Sequence, residues 1–120
     1  MAHVEVAPEK LQITLSLGDE ILALHGAFHL PYTHIQAVST DSVPEALFRG
    51  FKIGTNLPGV KTAGTFITGE GTIFYDFHDP DRCLTLSLSH DTYQQVVIEV
   101  DRDQDPSTLA AAIRGRIGKA

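Results

Sequence analysis

Hydrophobic residues recur at every second position over several separate stretches of this chain. The stretch 11–17 alternates leucine or isoleucine with polar residues, and the stretch 84–88 alternates leucine with Thr85 and Ser87. A period of two is typical of a β-strand with one face on a core and the other in water. The pattern therefore predicts a mainly β fold.

Alternation, together with β-branched and aromatic residues, predicts further strands. They are expected at 4–6, 27–30, 35–38, 62–68, 72–77 and 96–100. Gly69-Glu70-Gly71 is predicted to be a short hairpin connection, because glycine tolerates the positive φ angles of tight turns. In the strand that follows, Ile73, Tyr75 and Phe77 should share one face, with Phe74 on the other.

A helical pattern closes the chain. Asp105 and Pro106 suit the N-cap and the first position of a helix. The apolar face of this helix is expected to comprise Leu109, Ala112, Ile113 and Ile117. Shorter helical segments are predicted at 21–26 and 44–48, and a strand is the alternative for 21–26.

The glycine-rich segment from Arg49 to Lys61 is predicted to be a loop that crosses between strands. Its glycines and the turn signal Pro58-Gly59 favour this interpretation. Residues 46–69 contain three cations and no acidic residue, so this segment carries +3 and the remainder must carry −9 to give the net charge of −6.

Two interpretations of this charge pattern remain open. The segment offers a candidate binding surface, which would comprise Arg49, Phe51, Lys52, Asn56, Leu57 and Lys61. Alternatively, Arg49 pairs with an acidic residue elsewhere and holds the loop in place as a structural brace.

The order of elements and several short motifs resemble small bacterial proteins with a pleckstrin-homology-like (PH-like) domain. The matching motifs are Leu30-Pro31 before Ile35-Gln36-Ala37-Val38, Arg49-Gly50, Gly54-Thr55, Leu57-Pro58-Gly59-Val60, Gly64-Thr65, and Tyr93 ahead of Val96-Val97-Ile98. The resemblance covers nearly the whole chain. It implies a single domain over residues 1–120, a PH-like split barrel of about seven antiparallel strands with a C-terminal α-helix. It also implies a binding or assembly module rather than an enzyme.

Composition excludes several classes of partner. A net charge of −6 argues against nucleic acid and against anionic membranes, because both require clustered cations. Phosphoinositide-binding PH-like domains carry several cations in the first hairpin, whereas Ala7–Lys10 offers one lysine. The chain also lacks a membrane-length apolar stretch and a signal-peptide pattern, and it has one cysteine. We therefore expect a cytoplasmic protein.

No metal and no cofactor are predicted. His25, His29 and His34 are too interrupted by Gly26 and Pro31 to share one helix as ligands. Asp101–Asp105 is similar to the start of a calcium loop. That loop would require glycine and glutamate where the chain has Pro106 and Ala112.

Enzyme signatures are also missing from the sequence. Arg82 beside Cys83 would lower a thiol pKa, but a nucleophile also requires a base and an oxyanion site. Ser89-His90-Asp91 places triad residue types together in sequence, whereas a triad is defined by geometry.

The leading hypothesis is a non-catalytic module that binds a protein partner or forms an oligomer with itself. The alternative is a small-ligand-binding barrel or an enzyme with its site at the barrel mouth, which requires a pocket with convergent polar groups.

Overall fold

The computed structural model describes residues 2–15, 27–41, 51–57, 61–68, 71–89 and 91–117. These residues form the strands β1 Ala2–Val6, β2 Lys10–Leu15, β3 Phe28–Pro31, β4 Ile35–Ser39, β5 Phe51–Leu57, β6 Lys61–Thr68, β7 Gly71–Phe77, β8 Cys83–Leu88 and β9 Gln95–Glu99, and the helix α1 Pro106–Ile117. Two 3-10 turns, Tyr32–His34 and Pro80–Arg82, precede β4 and β8. The helical segments predicted at 21–26 and 44–48 lie outside the described residues.

The first sheet has the order β1-β2-β3, and both of its strand pairs are antiparallel. Its buried residues occupy alternate positions along each strand, namely Ala2, Val4, Leu11, Ile13, Leu15, Phe28 and Leu30. The positions between them, such as His3, Thr14 and His29, are exposed. The alternation predicted from the sequence is therefore confirmed, and the apolar face of this sheet packs against the core.

The second sheet has the order β4-β8-β9-β7-β6-β5. Four of its strand pairs are antiparallel, but β7 and β9 are parallel, so the prediction of antiparallel pairing throughout is wrong at this point. The 3-10 turn Pro80–Arg82 connects β7 to β8, which lies two strand positions away in the sheet, and β9 occupies the position between them. β8 runs antiparallel to β7. Since β9 pairs antiparallel with β8, it runs parallel with β7.

Two buried apolar clusters lie on the two faces of the second sheet, and alternate side chains of β7 belong to one cluster or the other. Phe74 belongs to the larger cluster, which also contains the buried residues of the first sheet. Phe28 of the first sheet meets Phe74 edge to face, with ring centroids 4.8 Å apart. The second cluster comprises Phe66, Ile73, Tyr75, Phe77, Cys83 and Val97. The predicted division of β7 into two faces is confirmed.

Helix α1 begins where the sequence predicts. The carboxylate of Asp105 accepts hydrogen bonds from the backbone N–H and the hydroxyl of Thr108, at 3.2 Å and 2.8 Å. The helix packs against β4, β1, β8 and the Tyr32–His34 turn. None of the helices in the described ranges combines the length and apolar character needed to span a bilayer.

The apolar face of α1 differs by one residue from the prediction. Ile113 is buried, and Leu109 and Ile117 are partly buried, but Ala112 is exposed and Ala110 is buried instead. Ala110 and Ile117 lie three before and four after Ile113, so the buried stripe turns away from Ala112 along the helix. The observed fold is mainly β, with two sheets and a C-terminal helix.

Candidate interaction surface

The segment predicted to be a loop contains a strand. Phe51–Leu57 forms β5 and pairs antiparallel with β6, so the loop interpretation of Arg49–Lys61 is wrong over these residues. Gly54, read as a loop signal, lies directly opposite Gly64, whose φ is 130°. Glycine inside a strand can mark a bulge or a close approach of another backbone, so its presence does not by itself indicate a loop. The segment's own alternation of apolar Phe51 and Ile53 with Lys52 and Gly54 could have revealed the strand.

The predicted binding residues are distributed over this hairpin. Phe51, Lys52, Asn56 and Leu57 lie on β5, and Lys61 begins β6, where it pairs with Leu57. Arg49 lies outside the described residues. The structure therefore does not test the interpretation of Arg49 as a structural brace.

An exposed apolar residue adjoins these positions. Ile67 on β6 is 45% exposed, which makes it the exposed large hydrophobic residue among the described side chains. It pairs with Phe51 on one side and with Thr72 on the other. We call β5 together with Lys61 and Ile67 the edge surface. It combines an apolar side chain with a stretch of chain that has lysines and no acidic residue.

Among the residues that the structure describes, the two sheets present four edge strands, namely β1, β3, β4 and β5. An edge strand carries a row of N–H and C=O groups that can pair with a strand from another chain. Folded proteins commonly obstruct such edges with side chains, irregular pairing or proline. Three of the four edges in this structure carry an obstruction.

Strand β1 is closed along its outer side by a side-chain amide. The Gln104 side chain accepts a hydrogen bond from the Val4 N–H at 2.9 Å and donates one to the Val4 carbonyl at 2.7 Å. The Asp101 N–H donates to the Ala2 carbonyl at 2.9 Å. These bonds take up the backbone groups that an incoming strand would require.

Strands β3 and β4 are obstructed in other ways. β3 is four residues long and ends at Pro31, which has no N–H to donate. The pairing of β4 with β8 shifts register between Ile35 and Ala37. In addition, the Arg114 guanidinium donates to the Val38 carbonyl at 2.9 Å.

Strand β5 differs from the other three edges in length and regularity. It pairs with β6 at seven consecutive positions, from Phe51 opposite Ile67 to Leu57 opposite Lys61, without a shift in register. Within the described ranges β6 is its one strand neighbour. β5 is therefore the edge best formed to accept a further strand.

The recesses beside α1 give little support to the small-ligand alternative. The first recess has a volume of about 370 Å³ and is lined by Gln36, Ala37, Val38, Arg114 and Ile117. The second has a volume of about 510 Å³ and is lined by Val6, Ala112, Gly115 and Arg116. Arg116 donates to the Pro8 carbonyl at 3.4 Å, and Arg114 is engaged by β4 as described. The strongest polar group of each recess thus already contacts backbone, and the convergent polar lining typical of a ligand site is not assembled there.

In the part of the chain that the structure describes, one group of potential metal ligands comes together that the sequence did not indicate. His3, Asp101 and Asp103 offer ligand atoms within 4.8 Å of one another, and we call them the His3 cluster. The His3 imidazole lies 3.4 Å from the Asp101 carboxylate. The parallel bridge between Ala2 and Val100 brings these distant segments together, and no local motif signals it.

The histidines considered from the sequence do not converge in the described residues. His29 is exposed on β3, and the His34 imidazole lies 3.4 Å from the Asp91 carboxylate. His25 and His90 lie outside the described residues, so the structure does not test Ser89-His90-Asp91. The Asp101–Asp105 segment is a turn that leads into the N-cap of α1.

Cys83 is a packed thiol. It is buried in the second cluster, and its sulfur donates to the Asp79 carbonyl at 3.5 Å. Burial, reinforced by the nearby Glu99 carboxylate, raises the pKa of the Cys83 thiol. The guanidinium of the neighbouring Arg82 donates to the carbonyls of Asp101 and Gln104. These surroundings are those of a structural cysteine.

Glu99 also has a structural role. It is buried, and its carboxylate accepts hydrogen bonds from the N–H groups of His78 and Asp79 at 2.8 Å and 3.0 Å. These bonds fix the connection from β7 to β8. A carboxylate held in this way stabilises the turn.

Comparisons of the chain with known protein families, with curated proteins and with solved structures find no match.

Proposed function

We propose that this protein is a non-catalytic binding or self-assembly module that takes up a strand of its partner along β5. The observation that carries the proposal is the contrast between the long, regular β5 edge and the three obstructed edges. Strand addition supplies affinity through backbone hydrogen bonds, and side chains beside the seam supply specificity. The residues selected from the sequence for their charge pattern lie on this same hairpin, apart from Arg49.

We also propose that the two sheets and α1 are a form of the PH-like arrangement. The mainly β architecture and the packed C-terminal helix support this relationship, whereas the parallel pair β7–β9 departs from the expected pattern. The acidic net charge and the single cysteine support a cytoplasmic protein partner rather than nucleic acid or phosphoinositide.

Charge reversal at the edge surface tests the proposal. Lys52→Glu with Lys61→Glu should weaken binding of a partner recovered from the native host, chiefly through a slower, less salt-dependent association. The matched control is Lys10→Glu with Arg102→Glu, which makes the same change in net charge at exposed positions away from β5. Both variants should retain the wild-type melting temperature, because isolated surface charges contribute about 0–1 kcal/mol.

Two results of this comparison would contradict the proposal. If the control weakens the partner as much as the edge variant does, overall charge rather than β5 governs binding. If the edge variant unfolds while any material that remains folded binds normally, the lysines brace the fold and the proposal is wrong.

A further inference from the structure

We propose that the partner strand is β5 of a second copy of this chain, paired antiparallel about a two-fold axis at Gly54. This inference rests on the proposed function and specifies its partner. The two six-stranded sheets would then join into one continuous sheet. A two-fold interface uses the same surface on both copies, so the segment must be complementary to itself.

The sequence of β5 meets that requirement in this register. A two-fold axis at Gly54 places Phe51 opposite Leu57 of the other copy and Lys52 opposite Asn56. Ile53 then lies opposite Thr55. This register would pair all seven residues of β5 with the second copy. Opposed apolar and β-branched residues stabilise antiparallel strand pairs, and like charges directly opposite one another destabilise them.

The lysines are also well separated in this arrangement. Lys52 of one copy lies four positions along the seam from Lys52 of the other, which is roughly 14 Å at the rise of an extended strand. That distance exceeds the Debye length of about 8 Å at physiological ionic strength. Centring the axis on Lys52 instead would place the two lysines opposite each other and leave part of β5 unpaired. Charge and length therefore both favour the axis at Gly54.

Ile67 extends the seam beyond β5. It pairs with Phe51 of its own chain, so the row across the joined sheet contains Ile67, Phe51 and Leu57 of the second copy. Ile67 lies one strand behind the seam, so Phe51 stands between it and Leu57 of the second copy, roughly 10 Å away at the usual strand spacing. A second copy would therefore extend an apolar row that begins with the exposed Ile67 and continues through Phe51 at the regular edge.

Cysteine pairing tests the register directly. The full-length variants Lys52→Cys and Asn56→Cys are prepared separately, one with ¹⁵N label, and are oxidised under mild conditions alone and mixed. Opposed residues of the proposed pair lie within the Cα separation that a disulfide bridges, so the mixture should give at least about tenfold more crosslinked dimer than either variant alone. Mass spectrometry of the labelled chains should show a disulfide that joins position 52 of one copy to position 56 of the other. Buried Cys83 is the internal control and should remain reduced.

Light scattering of the wild-type chain complements the crosslinking. The expected result is a mass that approaches twice that of the monomer at high micromolar concentration, with association strengthened by added salt because both copies carry −6. Ile67→Asp should reduce this association without unfolding the protein. Crosslinking that is equally efficient for Lys52→Cys alone would overturn the register.

The results also separate this inference from the proposed function. A wild-type chain that stays monomeric while a foreign partner binds through the edge surface refutes the second-copy assignment and leaves strand addition intact. A dimer that forms equally well after Ile67→Asp and without the mixed crosslink shows that copies meet elsewhere, which refutes the inference. A foreign partner that is also indifferent to the edge variants refutes the proposed function.

Discussion

Replacement of Ile113 by alanine tests whether α1 contributes to the core. Ile113 is fully buried in the larger cluster, together with residues from both sheets. The change removes three carbon atoms, which at roughly 0.8 kcal/mol each corresponds to about 2.4 kcal/mol of lost transfer free energy. The cavity left behind adds to this loss, because the surrounding sheets relax only in part. We therefore expect a loss of about 3 kcal/mol in the free energy of unfolding, inside the usual range of about 2–5 kcal/mol.

A matched control is available in the same chain. Ile67→Ala removes the same atoms from a side chain that is 45% exposed, so the loss should stay near or below about 1 kcal/mol. Urea unfolding followed by far-ultraviolet circular dichroism measures both changes, at protein concentrations low enough to keep the chain monomeric. The dependence of unfolding free energy on urea should remain constant, so that a shift in midpoint reports stability alone.

Two results would refute the reasoning. A loss below about 0.5 kcal/mol for Ile113→Ala is the range of a neutral surface change and would mean that α1 is not docked as described. Equal losses at Ile113 and Ile67 would mean that burial does not govern the difference between them.

Individual side chains supply three further predictions. Because burial raises its pKa, the Cys83 thiol should react with dithionitrobenzoate far more slowly in the native protein than after unfolding in urea, and rapid native reaction would contradict its burial. Hydrogen bonds from the Thr108 side chain and then its backbone lower the pKa of Asp105, so its stabilising effect should be present above the unfolded carboxyl pKa and disappear as pH falls through the folded value. Asp105→Asn should flatten that part of the acid-unfolding curve, and an unchanged curve would show that Asp105 does not contribute. Purified protein should carry no stoichiometric zinc or calcium, and a chelator should leave the melting temperature unchanged; one ion per chain that is lost on His3→Ala would instead make the His3 cluster a metal site.

Local patterns predicted the parts of this fold that local physics determines. The alternation of Leu84, Leu86 and Leu88 reflects the two faces of a strand, and these side chains are buried in the core. The Asp105-Pro106 signal located the start of α1 because capping depends on residues within one turn. The error at Ala112 arose because both alanines are compatible with an apolar stripe, and only the packed neighbours select Ala110.

Long-range pairing could not be read in the same way. Nothing in the sequence near Gln95–Glu99 indicates that this strand enters between β7 and β8, so its parallel pairing was missed. The His3 cluster escaped notice for a related reason, since its members come from the two ends of the chain. Such contacts depend on the order of strands in the sheets, which individual periodicities do not encode.

The edge surface shows how the two kinds of information combine. Charge counting selected the region around Lys52, but it could not distinguish a loop from a strand or an inner strand from an edge. The structure supplies that distinction by placing β5 at the end of its sheet, while Gln104 and Arg114 occupy backbone groups on β1 and β4. Within the described residues β5 is the long, regular edge and the other edges are obstructed, which is why we propose β5 as the edge that accepts a strand. Under that proposal the side chains limit the registers in which two copies can pair, and the register centred on Gly54 would place Lys52 opposite Asn56 rather than opposite a second lysine.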